Sequence, residues 1–187
     1  MKAKNVILFI TGFRETPEEF TGLENVWQTA RGFSSPSTWV VKPYRWDCQW
    51  GQEAAQILRG MADGGQVVVC AYSWGAGYGF LQLAKHLGRG GARISLACLC
   101  DPVYRHRFFW GLPLSLTGWP SIKIPYNVDL VKSVYQRVDR PRGHKLIARG
   151  ETVVEVPVEL NLPHKQIDNS RTYKAMCLDS ISETLYK

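Results

Sequence analysis

The stretch Cys70-Ala71-Tyr72-Ser73-Trp74-Gly75-Ala76-Gly77 sets a serine between an apolar, β-branched run, Gln66 to Tyr72, and a segment able to start a helix. A serine at so sharp a strand-to-helix turn needs small residues two positions before and after it, and Ala71 and Gly75 meet that need. The turn would expose Oγ at the carboxyl end of the strand, beside helix N–H groups that favour a developing oxyanion. A serine hydroxyl is a weak nucleophile at neutral pH, so a base must take its proton and a carboxylate must hold that base in one tautomer. The chain has four histidines. His86 falls in the helix after the turn, facing solvent or a neighbouring helix, and His106 lies between Arg105 and Arg107. His144 follows Arg140-Pro141-Arg142-Gly143, and both it and His106 read most simply as surface residues. His164 sits in a loop after the last strand. Among the acids, Asp101 closes an apolar strand and is followed by Pro102, which places it at the same sheet edge as Ser73. Asp139 ends the fifth strand among Arg137, Arg140 and Arg142, company that suits a solvated ion pair. Asp168 is close enough to His164 for an orienting or capping role, and Asp47 precedes the serine. The competing reading of Ser73 is an ordinary helix N-cap.

The elements that must position these groups alternate between strand and helix, the pattern of a parallel sheet covered on both faces. Val6 to Thr11 reads as the first strand. Thr16-Pro17-Glu18-Glu19 carries a capping box with proline at the first helical position, starting a helix that runs to about Ala30. Thr38 to Tyr44 is the second strand, Gln52 to Met61 a helix, and Gln66 to Tyr72 the central strand, containing the continuous apolar run Val67-Val68-Val69-Cys70 that burial on both faces requires. A helix from Gly75 to about Leu87, a strand from Ile94 to Cys100, and a fifth strand from Leu130 to Val138 follow. Lys145 to Val158 reads as a β-hairpin turning at Arg149-Gly150, and Arg171 to Leu185 as a closing helix. Residues 104–125 fit neither pattern; their aromatics and prolines suit an apolar flap or an irregular part of the core.

The Ala-Tyr-Ser-Trp-Gly pentapeptide resembles the nucleophile elbow of the α/β-hydrolase superfamily, in the variant with alanine at the first small position. That resemblance implies a compact single-domain α/β-hydrolase fold over residues 1–187, with a mostly parallel sheet of about five strands, helices on both faces and the C-terminal hairpin. It implies a catalytic triad in the order serine, acid, histidine, with Ser73 as nucleophile and His164 at the place of the family's base. Leu99-Cys100-Asp101-Pro102 is similar to the acid loop of pancreatic-type lipases, which favours Asp101, whereas most of the family keeps its acid where Asp139 stands. The oxyanion hole implied by the resemblance uses the backbone N–H groups of Trp74 and Phe13, with Thr11-Gly12-Phe13 replacing the usual His-Gly pair. The expected activity is that of a serine esterase or lipase-like hydrolase, cleaving a carboxylic ester or thioester without a cofactor; an acyltransferase could use the same site.

Phe109 and Trp110, in the aromatic segment, and Trp46, in the loop after the second strand with Trp50, are candidates to line an apolar substrate pocket. Trp39 reads as part of its strand. Arg105 and Arg107 could meet an anionic group on a small-molecule or lipid-like ester substrate. No histidine spacing suggests a metal site. The 187 residues carry a net charge of +7 and 45% hydrophobic residues. The positive charge admits a non-catalytic binder of an anionic polymer as a rival class, but Lys and Arg form no dense block and a nucleic-acid module is disfavoured. Of five cysteines, Cys70, Cys98 and Cys100 lie in apolar runs as small hydrophobes, pointing to a reducing, cytoplasmic setting. The apolar run Val6 to Ile10 is too short for a signal peptide, and none reaches transmembrane length.

Overall fold

A computed structural model describes residues 2–13, 22–104 and 121–185. Its centre is a seven-stranded sheet in which every strand pair is parallel. The strands are β1 (Ala3–Ile10), β2 (Thr38–Val40), β3 (Met61–Tyr72), β4 (Ile94–Cys100), β6 (Val128–Gln136), β8 (Val153–Val154) and β9 (Val158–Leu160). They run in the order β2-β1-β3-β4-β6, and the outer edge of β6 is covered first by β8 and then by β9. A separate parallel pair joins β5 (Ile122–Lys123) to β7 (Leu146–Ile147).

The core is split by this sheet. Val6 to Ile10 and Val67 to Ala71 are wholly buried, and alternate side chains enter opposite layers, as a strand's two-residue period requires. Val6, Leu8, Ile10, Val67 and Val69 pack with α2 (Trp50–Gly60) and α3 (Phe80–Arg89). Ile7, Phe9, Val68 and Cys70 pack with α1 (Gly22–Phe33) and α5 (Arg171–Leu185). Each helix offers an apolar stripe at helical spacing: Leu23, Val26, Trp27 and Ala30 on α1, Phe80, Leu83, Ala84 and Leu87 on α3, and Tyr173, Cys177 and Ile181 on α5. The Tyr173 hydroxyl, wholly buried, donates to the carbonyls of Ala71 and Cys98 and pins α5 to the two central strands. The fourth helix, α4 (His164–Ile167), is one turn that carries a candidate base.

The strand and helix alternation expected from the sequence is therefore present, with three differences. The sheet gains β8 and β9 beyond the five principal strands. The expected hairpin over Lys145 to Val158 does not form: the chain turns at Gly150, with φ +60°, but β7 pairs with β5 and β8 with β6. The helix after Ser73 begins as a π-helical turn, Gly75–Gly79, before α3 takes over. The capping box at Thr16 and most of the aromatic segment lie outside the described residues.

Gly75 and Gly77 seat the turn after β3. A Cβ on Gly75 would stand 2.4 Å from the Ile10 carbonyl oxygen, and one on Gly77 would stand 2.0 Å from that of Val103. Both obstacles are backbone, so no side chain can yield. Gly75→Ala is expected to cost about 1–3 kcal/mol, in the range of overpacked interiors. Urea denaturation should show the midpoint falling at unchanged slope; an unchanged midpoint would mean that β1 and the turn are not in this contact.

Candidate active site

Ser73 and Asp101 are the described non-glycine residues with positive φ, at 53° and 40°. Left-handed backbone costs an L-residue about 1–3 kcal/mol and persists where surroundings over-determine it. Here the two strained residues end the neighbouring strands β3 and β4, and the loops that follow them are tied together. The Val103 N–H donates to the Ser73 carbonyl at 3.0 Å, and Gly77 lets that loop lie against the π-helical turn. Both side chains therefore emerge at the carboxyl edge of the sheet, where ligands bind in open α/β folds.

His164 lies between them. Its Nε2 is 2.9 Å from Ser73 Oγ, and its Nδ1 is 2.6 Å from Asp101 Oδ2. Ser73, His164 and Asp101 are 4%, 6% and 0% exposed, so this chain of contacts is shielded from bulk water. Asp101 receives three further hydrogen bonds: the N–H groups of Gly143 and Gln136 reach Oδ1 at 2.9 and 3.3 Å, and the Gln136 amide reaches Oδ2 at 3.0 Å. An ionised carboxylate is an acceptor only, and this set of donors matches the ionised form. With Asp101 accepting from Nδ1–H, Nε2 carries the lone pair that faces the serine hydroxyl.

The backbone of His164 is held at both ends. Its N–H donates to Asp139 Oδ1 at 2.9 Å, and its carbonyl accepts the Tyr72 hydroxyl at 2.7 Å. Asp139 thus touches the candidate base through the main chain and not through the imidazole. Nor does it form the solvated ion pair expected among Arg137, Arg140 and Arg142; Arg137 instead faces Glu159 at 3.5 Å. The other candidates lie apart from this chain of contacts. His86 is beside Gly51 of α2. His144 is wholly buried, against its expected surface place, because its N–H donates to Pro102 and its carbonyl accepts the Tyr135 hydroxyl. Burial and the adjacent Asp101 charge raise the Tyr135 phenol, which stays a donor. Asp47 pairs with Arg45. His106, Arg105, Arg107, Phe109 and Trp110 lie outside the described residues.

Next to Ser73 the aromatic rings form a wall. Phe13, 38% exposed, lies over Trp74 with centroids 4.2 Å apart and planes 31° apart. Trp46 meets Trp74 edge-on at 4.9 Å and Tyr78 at 6.0 Å. Trp46 is only 4% exposed and Trp50 5%, so the two back this wall from within and Phe13 forms its outer part. Trp39 lies in β2, as expected.

Sequence reasoning passed over Tyr72, Gln136 and Gly143. The one available signal was a polar residue ending the apolar run Val134-Tyr135-Gln136, since a buried amide at a strand end must have partners. Cys177, far along the chain, joins two of the strand cysteines: the sulfur atoms of Cys70, Cys98 and Cys177 lie within 4.8 Å of one another. These are metal-ligating atoms, but they are wholly buried in the layer under α5, and thiol hydrogen bonds from Cys177 and Cys70 lower the Cys98 thiol.

Neither a protein-family model nor a curated protein sequence matches the chain. The parallel sheet with helices on both faces is an α/β fold. A solved structure that shares it is a candidate hydrolase of the α/β superfamily from Xanthomonas campestris pv. campestris, with a TM-score of 0.52 and 12% identity, covering 95% of this chain and 98% of its own. At this identity the likeness is one of fold. Among the described residues no helix is long and apolar enough to cross a membrane.

Asp168, expected to orient His164 or cap a helix, does the latter: its Oδ2 accepts the Gly22 N–H at the start of α1 at 2.9 Å. Burial raises its pKa above the ordinary 3.8, and the N–H bonds of Gly22 and Asn169 only partly oppose that. The folded state therefore holds this proton more tightly than the unfolded state. The contribution to stability is full below the unfolded pKa and declines as pH rises through the native one. Asp168→Asn keeps an acceptor and removes the charge, so it should flatten this decline. Urea titrations across the acid range test it; an equal decline in the variant would exclude Asp168 as its source.

Proposed function

We propose that the protein is a serine hydrolase that cleaves a carboxylic ester or thioester through an acyl-enzyme on Ser73. The observation that carries this reading is the buried chain Ser73 Oγ, His164 Nε2, His164 Nδ1, Asp101 Oδ2, with contacts of 2.9 and 2.6 Å. A helix-capping serine would need neither a histidine at hydrogen-bond distance nor a carboxylate behind it.

In this mechanism Ser73 Oγ attacks the substrate carbonyl carbon as its proton passes to His164 Nε2. Asp101 stabilises the resulting imidazolium without itself becoming protonated. The negative charge on the former carbonyl oxygen is met by the backbone N–H groups of Trp74 and Phe13. The tight seat of Gly75 on Ile10 and Thr11 supports that pairing, because it draws the loop of Phe13 against the turn of Trp74. Collapse breaks the bond to the alcohol or thiol, which leaves with the proton from His164. Water then gives a proton to His164 and attacks the acyl carbon, and the carboxylic acid departs as Ser73 regains its hydrogen.

The exposed ring of Phe13 and the face of Trp74 form one wall for an apolar acyl or aryl group, backed by Trp46. Phe109 and Trp110, candidates from sequence to line a substrate pocket, lie outside the described residues. Apolar burial contributes about 25 cal/mol per Å², enough for such a wall to orient a small ester.

A fluorophosphonate reagent should label the native protein on Ser73 and leave Ser73→Ala unlabelled. Equal labelling of both, or none of the native protein, would remove the hydrolase reading. Asp101→Asn should lower kcat on a p-nitrophenyl ester by about 10³–10⁴-fold, because the amide can hold the wrong imidazole tautomer. If Asp139→Asn produced that loss and Asp101→Asn did not, the acid would have to be moved to Asp139.

A further inference from the structure

Gln136 ends β6 and is wholly buried, yet its side chain makes more polar contacts than any member of the proposed triad needs for chemistry. Its amide nitrogen lies 3.0 Å from Asp101 Oδ2, 2.8 Å from the Pro141 carbonyl and 3.4 Å from the Asp139 carbonyl. Its amide oxygen accepts the Asp139 N–H at 2.9 Å. Its own backbone N–H reaches Asp101 Oδ1 at 3.3 Å. One residue thus holds the acid directly and folds the loop whose Asp139 carboxylate takes the His164 N–H at 2.9 Å.

We propose that Gln136 is a positioning residue that sets Asp101 and, through Asp139, His164 at their working separation. This rests on the serine-hydrolase reading above. The task demands a primary amide: the end facing Asp101 must donate, the end facing the Asp139 N–H must accept, and neither may bring a charge into a buried site beside a carboxylate. A flipped amide would set its oxygen against Asp101 and its N–H₂ against an N–H, so the contacts allow one orientation. The charged and titratable groups in contact with it are Asp101 from the end of β4 and Asp139 from the loop after β6, and His164 of α4 is bonded to both; Arg140 and Arg142 in that loop are exposed. Arg137 donates to its carbonyl at 3.3 Å, and Tyr135 precedes it.

Gln136→Glu makes the test specific. Protonated, the new carboxyl can donate its one O–H to Asp101 and accept the Asp139 N–H, keeping the two contacts that hold the acid and Asp139 and giving up only the amide's bonds to the Pro141 and Asp139 carbonyls. Ionised, it loses the donor and opposes the Asp101 charge. Burial and that charge raise its pKa, so the replacement works at low pH and fails as pH rises through that value. With a p-nitrophenyl ester between about pH 5 and 9, kcat of Gln136→Glu relative to native protein should be near its maximum at the acid end and fall roughly 10–100-fold toward the alkaline end, the scale of loss from a misplaced catalytic group. Gln136→Met should lose a similar factor at every pH with KM little changed. A pH-independent ratio for Gln136→Glu, equal to that of Gln136→Met, overturns the proposal.

Should thermal melts show that neither variant folds, the half-buried Asp139 decides. Asp139→Ala should lower kcat about tenfold at constant KM, and Asp139→Asn, which keeps an acceptor for the His164 N–H, should restore it; equal kcat in the two overturns the proposal. Fluorophosphonate labelling of native Ser73 separates the two levels. If the native protein labels and the variants contradict the expected pattern, only the role of Gln136 falls. If it neither labels nor turns over ester, the hydrolase reading falls and takes this role with it.

Discussion

The arrangement depends on one buried carboxylate. Asp101 is wholly enclosed, and an ionised group in such a place is tolerable only if nearly every lone pair is engaged. The partners of its carboxylate come from three places in the chain: Gln136 at the end of β6, the Gly143 N–H in the loop beyond, and the His164 ring on α4. Satisfying Asp101 gathers the carboxyl edge of the sheet into one structure. The same constraint explains why Asp101 accepts a left-handed backbone: an extended one would aim the carboxylate elsewhere and leave its donors unpaired.

A second constraint, close backbone packing, brings the other half of the site to this edge. The turn after β3 lies against the end of β1, and the loop after β4 lies against the turn, at distances that leave no room for a Cβ on Gly75 or Gly77. Parallel neighbours β1, β3 and β4 end side by side, so Phe13, Ser73 and Asp101 are delivered to one edge by topology before any side chain is chosen. Tyr173 supports this from behind, its hydroxyl tying α5 to carbonyls of β3 and β4.

The two acidic residues illustrate how an α/β scaffold divides labour. Asp139 stands in the loop after β6, yet its carboxylate meets the main-chain N–H of His164, and the ring is left to Asp101. Two carboxylates near one imidazole would compete for its single Nδ1 proton. Assigning one to the ring and one to the backbone satisfies both, and the neutral amide of Gln136 separates them without adding charge.

By itself the sequence determined what is local or periodic. The β-branched run of β3, the apolar stripes of the helices, and small residues around Ser73 are each set within a few positions, and they were enough to predict a parallel α/β sheet with Ser73 at a strand end. β4 runs from Ile94 to Cys100 and α5 from Arg171 to Leu185, as their residues implied. Only the tertiary structure decided which partners meet. The hairpin arms of Lys145 to Val158 were legible as short strands, but their pairing depended on the open edge of β6. Chain order and the resemblance already favour His164 and Asp101; that the His164 ring lies 2.9 Å from Ser73 Oγ and 2.6 Å from Asp101, across 91 and 63 residues of chain, is set by the tertiary structure. Tyr72, Gln136 and the three gathered cysteines carried no periodic mark. A hydrogen bond depends on ångström-scale placement, and hydrophobic patterning fixes only the face to which a side chain points.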